Sequence, residues 1–145
     1  RRSRLVAAAG EVSMPHGTFV TVVNCMDGRV QEPVSSWMKE EFDADYVDTI
    51  TEPGPDGLFS RSQYSLIESI RRRVGISVDA HGSRVVAVVA HHDCTGHPVS
   101  RDQHLRDLAC ALRCMESWHL PARLVGLFVN EHWQVELISD SGGPA

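Results

Sequence analysis

Two uninterrupted apolar runs constrain this chain more than anything else in it: Phe19-Val20-Thr21-Val22-Val23, and Val85 to Ala90. β-Branched side chains favour extended backbone, and a run without polar alternation suits a strand buried on both faces. Such strands belong to parallel sheets covered by helices. Both runs end abruptly in polar, reactive residues, the first in Asn24-Cys25-Met26-Asp27-Gly28-Arg29 and the second in His91-His92-Asp93-Cys94.

The segments between and after the runs supply the helices. Pro33 stands where a first helical turn tolerates it, and Val34, Trp37, Met38 and Phe42 follow at helical spacing, which predicts a helix of about ten residues. Asp45 to Ile50 reads as a second, shorter strand. The prolines and glycines of Thr51-Glu52-Pro53-Gly54-Pro55-Asp56-Gly57 predict a loop that is neither helix nor strand. Ser60 and Gln63 have capping-box spacing and predict the next helix start; Tyr64, Ile67, Ile70 and Val74 give it an apolar stripe, and Gly75 is its expected stop. Ile76 to Ser83 reads as a short extra turn or as a loop. After Pro98, Ser100 and Gln103 repeat the capping spacing, and Leu105, Leu108, Leu112 and Met115 carry a helix towards Pro121. Arg123 to Val129 predicts a fourth strand, and Trp133 to Ile138 a fifth that pairs antiparallel at an edge.

Alternating strand and helix predict one α/β domain: a central, mainly parallel sheet of four strands plus an edge strand, with helices on both faces. Within it, residues 1–17 form an N-terminal arm and 140–145 a loose tail. Sheets of this kind take ligands beyond the carboxyl ends of strands, at the switch point where consecutive connections leave in opposite directions. If the first and third strands are neighbours, the Cys25 and His91 to Cys94 segments meet there.

A chain of 145 residues needs no second domain. With a net charge of −5 and basic residues dispersed apart from Arg71 to Arg73, it has no broad electropositive face for nucleic acid. No window approaches the roughly 20 apolar residues of a membrane span. Four cysteines without regular spacing or a signal sequence are not a disulfide framework and fit a reducing cytoplasm. Cys110 and Cys114, one helical turn apart, have no further Cys or His pair to complete a second metal site and read as core.

Zinc favours thiolate sulfur and imidazole nitrogen in tetrahedral array, and an enzyme site keeps one position open. Cys25, His91 and Cys94 supply three such ligands. Two thiolates formally cancel the charge of the metal and weaken it as a Lewis acid, so a helper for its water is expected. Asp27 is that helper: a carboxylate beside the metal accepts a hydrogen bond from the water, and Arg29 holds the carboxylate ionised in a bidentate pair. Released from Arg29, Asp27 becomes a fourth ligand that closes the site.

These residues resemble the β-class carbonic anhydrases, whose hallmark is Cys-x-Asp-x-Arg at one strand end and His-x-x-Cys at another. Cys25-Met26-Asp27-Gly28-Arg29 matches the first motif and His91-His92-Asp93-Cys94 the second. The resemblance implies one zinc per subunit and a homodimer or higher homo-oligomer. It further implies reversible hydration of carbon dioxide to bicarbonate, with zinc bringing the pKa of its water towards about 7 so that hydroxide is present. The chain departs from the family in having Thr95 before Gly96 and Thr51-Glu52-Pro53-Gly54 where an Arg-Asn-Ala-Gly segment is common. Two other readings follow: a zinc hydrolase of another small electrophile, such as carbonyl sulfide or carbon disulfide, and a non-catalytic zinc module closed by Asp27. Among the remaining residues, His97 reads as a solvated loop histidine before a substitute ligand or proton shuttle, His104 as ordinary, and Glu52 and Asp56 as surface turn residues.

Overall fold

The computed structural model describes residues 17–142. The expected N-terminal arm, apart from Gly17, lies outside them. Five strands form one sheet: β1 (Phe19–Cys25), β2 (Tyr46–Glu52), β3 (Val85–His91), β4 (Arg123–Val129) and β5 (Val135–Asp140). Their order is β2-β1-β3-β4-β5. The first four pair in parallel, with Val23 opposite both Ile50 and Val88, and β5 joins β4 antiparallel. The predicted fold class is therefore the observed one.

Both apolar runs are buried on both faces, as their lack of alternation requires. On one face Val86, Val88 and Ala90 pack with Phe128 beneath three helices, α2 (Pro55–Ser60), α3 (Tyr64–Ala80) and α4 (Arg101–Glu116). On the other, Ala87 and Val89 pack with Val125, Leu127 and residues of α1 (Gln31–Phe42). Each fully buried valine or leucine stabilises this arrangement by about 1.5 to 3 kcal/mol relative to exposure. Gly126 lets α4 come close, because a Cβ there meets Leu112 Cδ1 at 3.0 Å.

Several local expectations are overturned. The Thr51 to Gly57 segment is not all loop: β2 runs to Glu52, and α2 starts at Pro55, where the missing N–H of proline costs nothing. Gly54 precedes it in the left-handed conformation (φ 58°) that glycine adopts freely. Ser60 does not cap α3. It is the last residue of α2, its hydroxyl donates to Gly57 O, and Gln63 occupies the cap position without a side-chain bond. Nor does Gly75 stop α3, which continues to Ala80, burying Ser77 and Val78; a helical glycine costs only about 1 kcal/mol against alanine. Tyr64 is 74% exposed and lies off the buried stripe. At α4 the capping spacing holds, with Gln103 N donating to Ser100 Oγ at 3.1 Å. β5 begins and ends two residues later than predicted and enters the segment expected to be loose. Arg123 binds Asp140 in a bidentate pair, and Ser141 N donates to Leu124 O at 2.9 Å.

The chain order places the switch point between β1 and β3. The connection from β1 leaves through α1 towards β2, and that from β3 leaves through α4 towards β4, so their carboxyl ends border one crevice.

Candidate metal centre

Cys25 closes β1 and His91 closes β3, and a tight turn with Asp93 in the left-handed conformation (φ 58°) brings Cys94 back beside them. All three side chains are buried, and their ligand atoms lie within 4.8 Å of one another. The two Sγ atoms are 4.0 Å apart, close to the edge of about 3.8 Å expected between two thiolates at 2.3 Å from a tetrahedral zinc.

His91 is oriented for the task. Its Nδ1–H donates to His92 O at 2.7 Å, which leaves Nε2 with a free lone pair, and Nε2 is buried without any hydrogen-bond partner. An orphaned imidazole nitrogen facing two thiols is costly in itself and would be satisfied by a cation at their centre. The donor set of two sulfurs and one nitrogen fits zinc. The thiols also share a proton: the hydrogen bond between them draws Cys25 down from the ordinary thiol range and pushes Cys94 up. Gly54 N–H, 3.5 Å from Cys25 Sγ, adds to the lowering of Cys25.

Asp27 is turned to Arg29. Its Oδ2 takes Arg29 Nη2 at 2.6 Å, and its Oδ1 takes Nε at 3.1 Å and the backbone N–H of Arg29 at 2.9 Å. These bonds hold its carboxyl down at about 2. Arg29 is in turn held by Asp93, whose Oδ2 accepts from Nη1 at 3.1 Å and whose backbone O accepts from Nη2 at 3.2 Å. Its guanidinium lies 4.6 Å from the centre of the Trp133 ring. The five residues singled out from sequence therefore gather at one crevice. Asp93 and Trp133 were missed because their contacts with Arg29 span loops that local spacing does not connect.

A second buried cluster corrects three expectations. Asp56 is fully buried on α2, where its Oδ2 accepts from His104 Nδ1 at 2.7 Å. His104 is thus a core residue with a carboxylate partner. His97 is 6% exposed and bonds Asp107 through Nε2 at 2.6 Å and Arg61 through Nδ1 at 2.8 Å, so it is no solvated loop residue. Glu52 also has a partner, a short ion pair with Arg73. Cys110 and Cys114 are free thiols, and Cys114 packs at the border of the core.

The family model described as "Putative carbonic anhydrase" matches residues 15–139. No curated protein matches the chain. Among solved structures, one described as the apo form of carbon disulfide hydrolase is similar in part, with 11% sequence identity over 86% of this chain and 80% of that one, and a TM-score of 0.47.

Proposed function

The chain belongs to this carbonic anhydrase family, and we propose that it catalyses the zinc-dependent reversible hydration of carbon dioxide to bicarbonate. The observation that carries this reading is the meeting of Cys25, His91 and Cys94 around a buried, unpartnered His91 Nε2 while Asp27 is held aside by Arg29. Zinc at that centre supplies a Lewis acid that lowers the pKa of a coordinated water towards about 7.

Everything else falls to the residues of the chain. Cys25, His91 and Cys94 would hold the ion. Asp27 has two carboxylate oxygens with more lone pairs than Arg29 occupies, so it can accept a hydrogen bond from a water beside it and fix the direction of the remaining lone pair. Arg29 keeps Asp27 ionised and away from the ligand group. The apolar residues next to the ligands, Val30, Val89 and Val129 among them, favour an uncharged gas over a hydrated ion.

The described residues contain no helix long and apolar enough to cross a membrane. All four thiols are free, which supports the cytoplasmic placement proposed with this function. A homodimer or higher homo-oligomer acting on carbon dioxide and bicarbonate, without nucleic acid, completes the proposal. Stopped-flow hydration assays on zinc-loaded protein test it. The expected result is a zinc-dependent rate that rises with pH; a rate equal to buffer alone, with zinc bound, overturns it. Competition by carbonyl sulfide or carbon disulfide separates this activity from hydrolysis of those electrophiles.

A further inference from the structure

Arg29 is a long side chain, 46% exposed, paired in its own segment with Asp27. Two residues from other loops also hold it. Asp93, in the turn between His91 and Cys94, takes Nη1 on its carboxylate and Nη2 on its backbone oxygen. Trp133, in the turn between β4 and β5, lies under the guanidinium at 4.6 Å. Both Asp93 and Trp133 hold φ at 58°, a left-handed conformation that aspartate tolerates and a bulky tryptophan rarely adopts. The surrounding turns enforce it. Asn130 takes the backbone N–H groups of His132 and Gln134 on its side-chain oxygen, and Trp133 N donates to Asn130 O at 2.9 Å. His92 N donates to Val129 O at 2.8 Å and ties the two turns together. Two left-handed turn residues from separate loops, one of them a strained tryptophan, thus converge on one guanidinium.

We propose that Asp93 and Trp133 are positioning residues that keep the metal centre open by locking Arg29 onto Asp27. The inference rests on the proposed metal site and adds to it the device that decides the state of Asp27. With the lock in place, Arg29 has one pose and Asp27 is held against it. Without the ring below and the carboxylate beside it, Arg29 gains rotameric freedom and competes with water for Asp27, and the released carboxylate turns to the metal as its fourth ligand. Arg29 is partly exposed, so loss of the stacking contact shifts the open-to-closed balance by about two- to fivefold.

The test uses the cobalt(II)-loaded full chain, titrated with azide and followed by its visible spectrum, because azide binds only where a coordination position can be vacated. Wild-type protein is expected to respond. Trp133→Ala is expected to need about two to five times more azide, Asp93→Asn to shift in the same direction, and Trp133→Phe, which keeps an aromatic face, to restore most of the response. Asparagine tolerates the left-handed backbone and position 93 is exposed, so Asp93→Asn tests the lock even where Trp133→Ala fails to fold. Identical azide curves for wild type, Asp93→Asn and the folded Trp133 variants overturn the inference, as does a wild-type centre that already ignores azide. Wild-type protein that binds no metal overturns instead the proposed site itself, and the lock with it.

Discussion

Cys25, His91 and Cys94 in one place, and Asp56, His97 and His104 in another, each bring three potential ligand atoms within 4.8 Å, and all six residues are buried. Gly54 touches both groups: its N–H points to Cys25 Sγ, and a Cβ added to it meets His97 Cβ at 2.7 Å. The clusters differ in what their second partners leave over. His91 spends Nδ1 on a carbonyl and keeps Nε2 free, beside two sulfurs. His97 keeps neither nitrogen: a guanidinium only donates, so Arg61 takes the lone pair of Nδ1, and Nε2–H goes to Asp107. The atoms still unpartnered in that cluster, Asp56 Oδ1 and His104 Nε2, belong to a pair already bonded to each other. The clusters thus differ in donor type and in internal bonding: two thiols and one imidazole with a free nitrogen in the first, and a carboxylate with two imidazoles, each hydrogen-bonded to a carboxylate, in the second.

The contrast is open to attack at several points. Cys94→Ser removes a ligand, which should lower zinc affinity by more than the roughly 100-fold upper end seen for outer partners alone; competition with a chelator reads it. Asp27→Asn should retain zinc but lower the maximal hydration rate by about 100-fold or more, the scale of a lost proton-accepting group. In the second cluster, His104→Ala strands the buried Asp56 carboxylate and should destabilise the fold by about 3 kcal/mol in urea unfolding, with zinc content unchanged. Loss of zinc in that variant, at temperatures where it stays folded, would join the two clusters after all.

The smallest effect concerns pH. The bond from Arg29 holds Asp27, and that from Arg123 holds Asp140, at about 2 against an ordinary 3.8. Each carboxylate therefore contributes stability that is complete above about pH 4 and is lost as the pH falls towards 2. These pairs are partly exposed, and exposed pairs contribute about 1 kcal/mol at most. Asp140→Asn should lower the urea midpoint slightly near neutral pH and merge with wild type near pH 2.

The sequence carries one side of this comparison and hides the other. Cys25, Asp27, Arg29, His91 and Cys94 stand within two short segments at the ends of two unmistakable strands, so their meeting point was legible. The same apolar runs, with α4 capped by Ser100, carried the fold class. Asp56 and His104 are 48 positions apart, and no local pattern links them. Asp56 read as a turn residue because Pro53, Gly54, Pro55 and Gly57 look like punctuation, yet Pro55 opens a helix and Gly57 admits the His97 ring, whose Cγ lies 2.5 Å from where a Cβ would stand. Gly75 failed as a boundary marker because burial of Ser77 and Val78 outweighed a weak local preference, and Ser60 because it closes α2 instead of opening α3.

The central claim is that one of the two clusters holds a metal and the other does not. Zinc quantitation of the purified protein by mass spectrometry, paired with X-ray absorption at the zinc edge, tests it most directly. One zinc per chain with two sulfur scatterers at about 2.3 Å and one imidazole, lost in Cys94→Ser and kept in His104→Ala, is the result predicted here. No zinc, two zinc ions per chain, or a zinc edge without sulfur would contradict it.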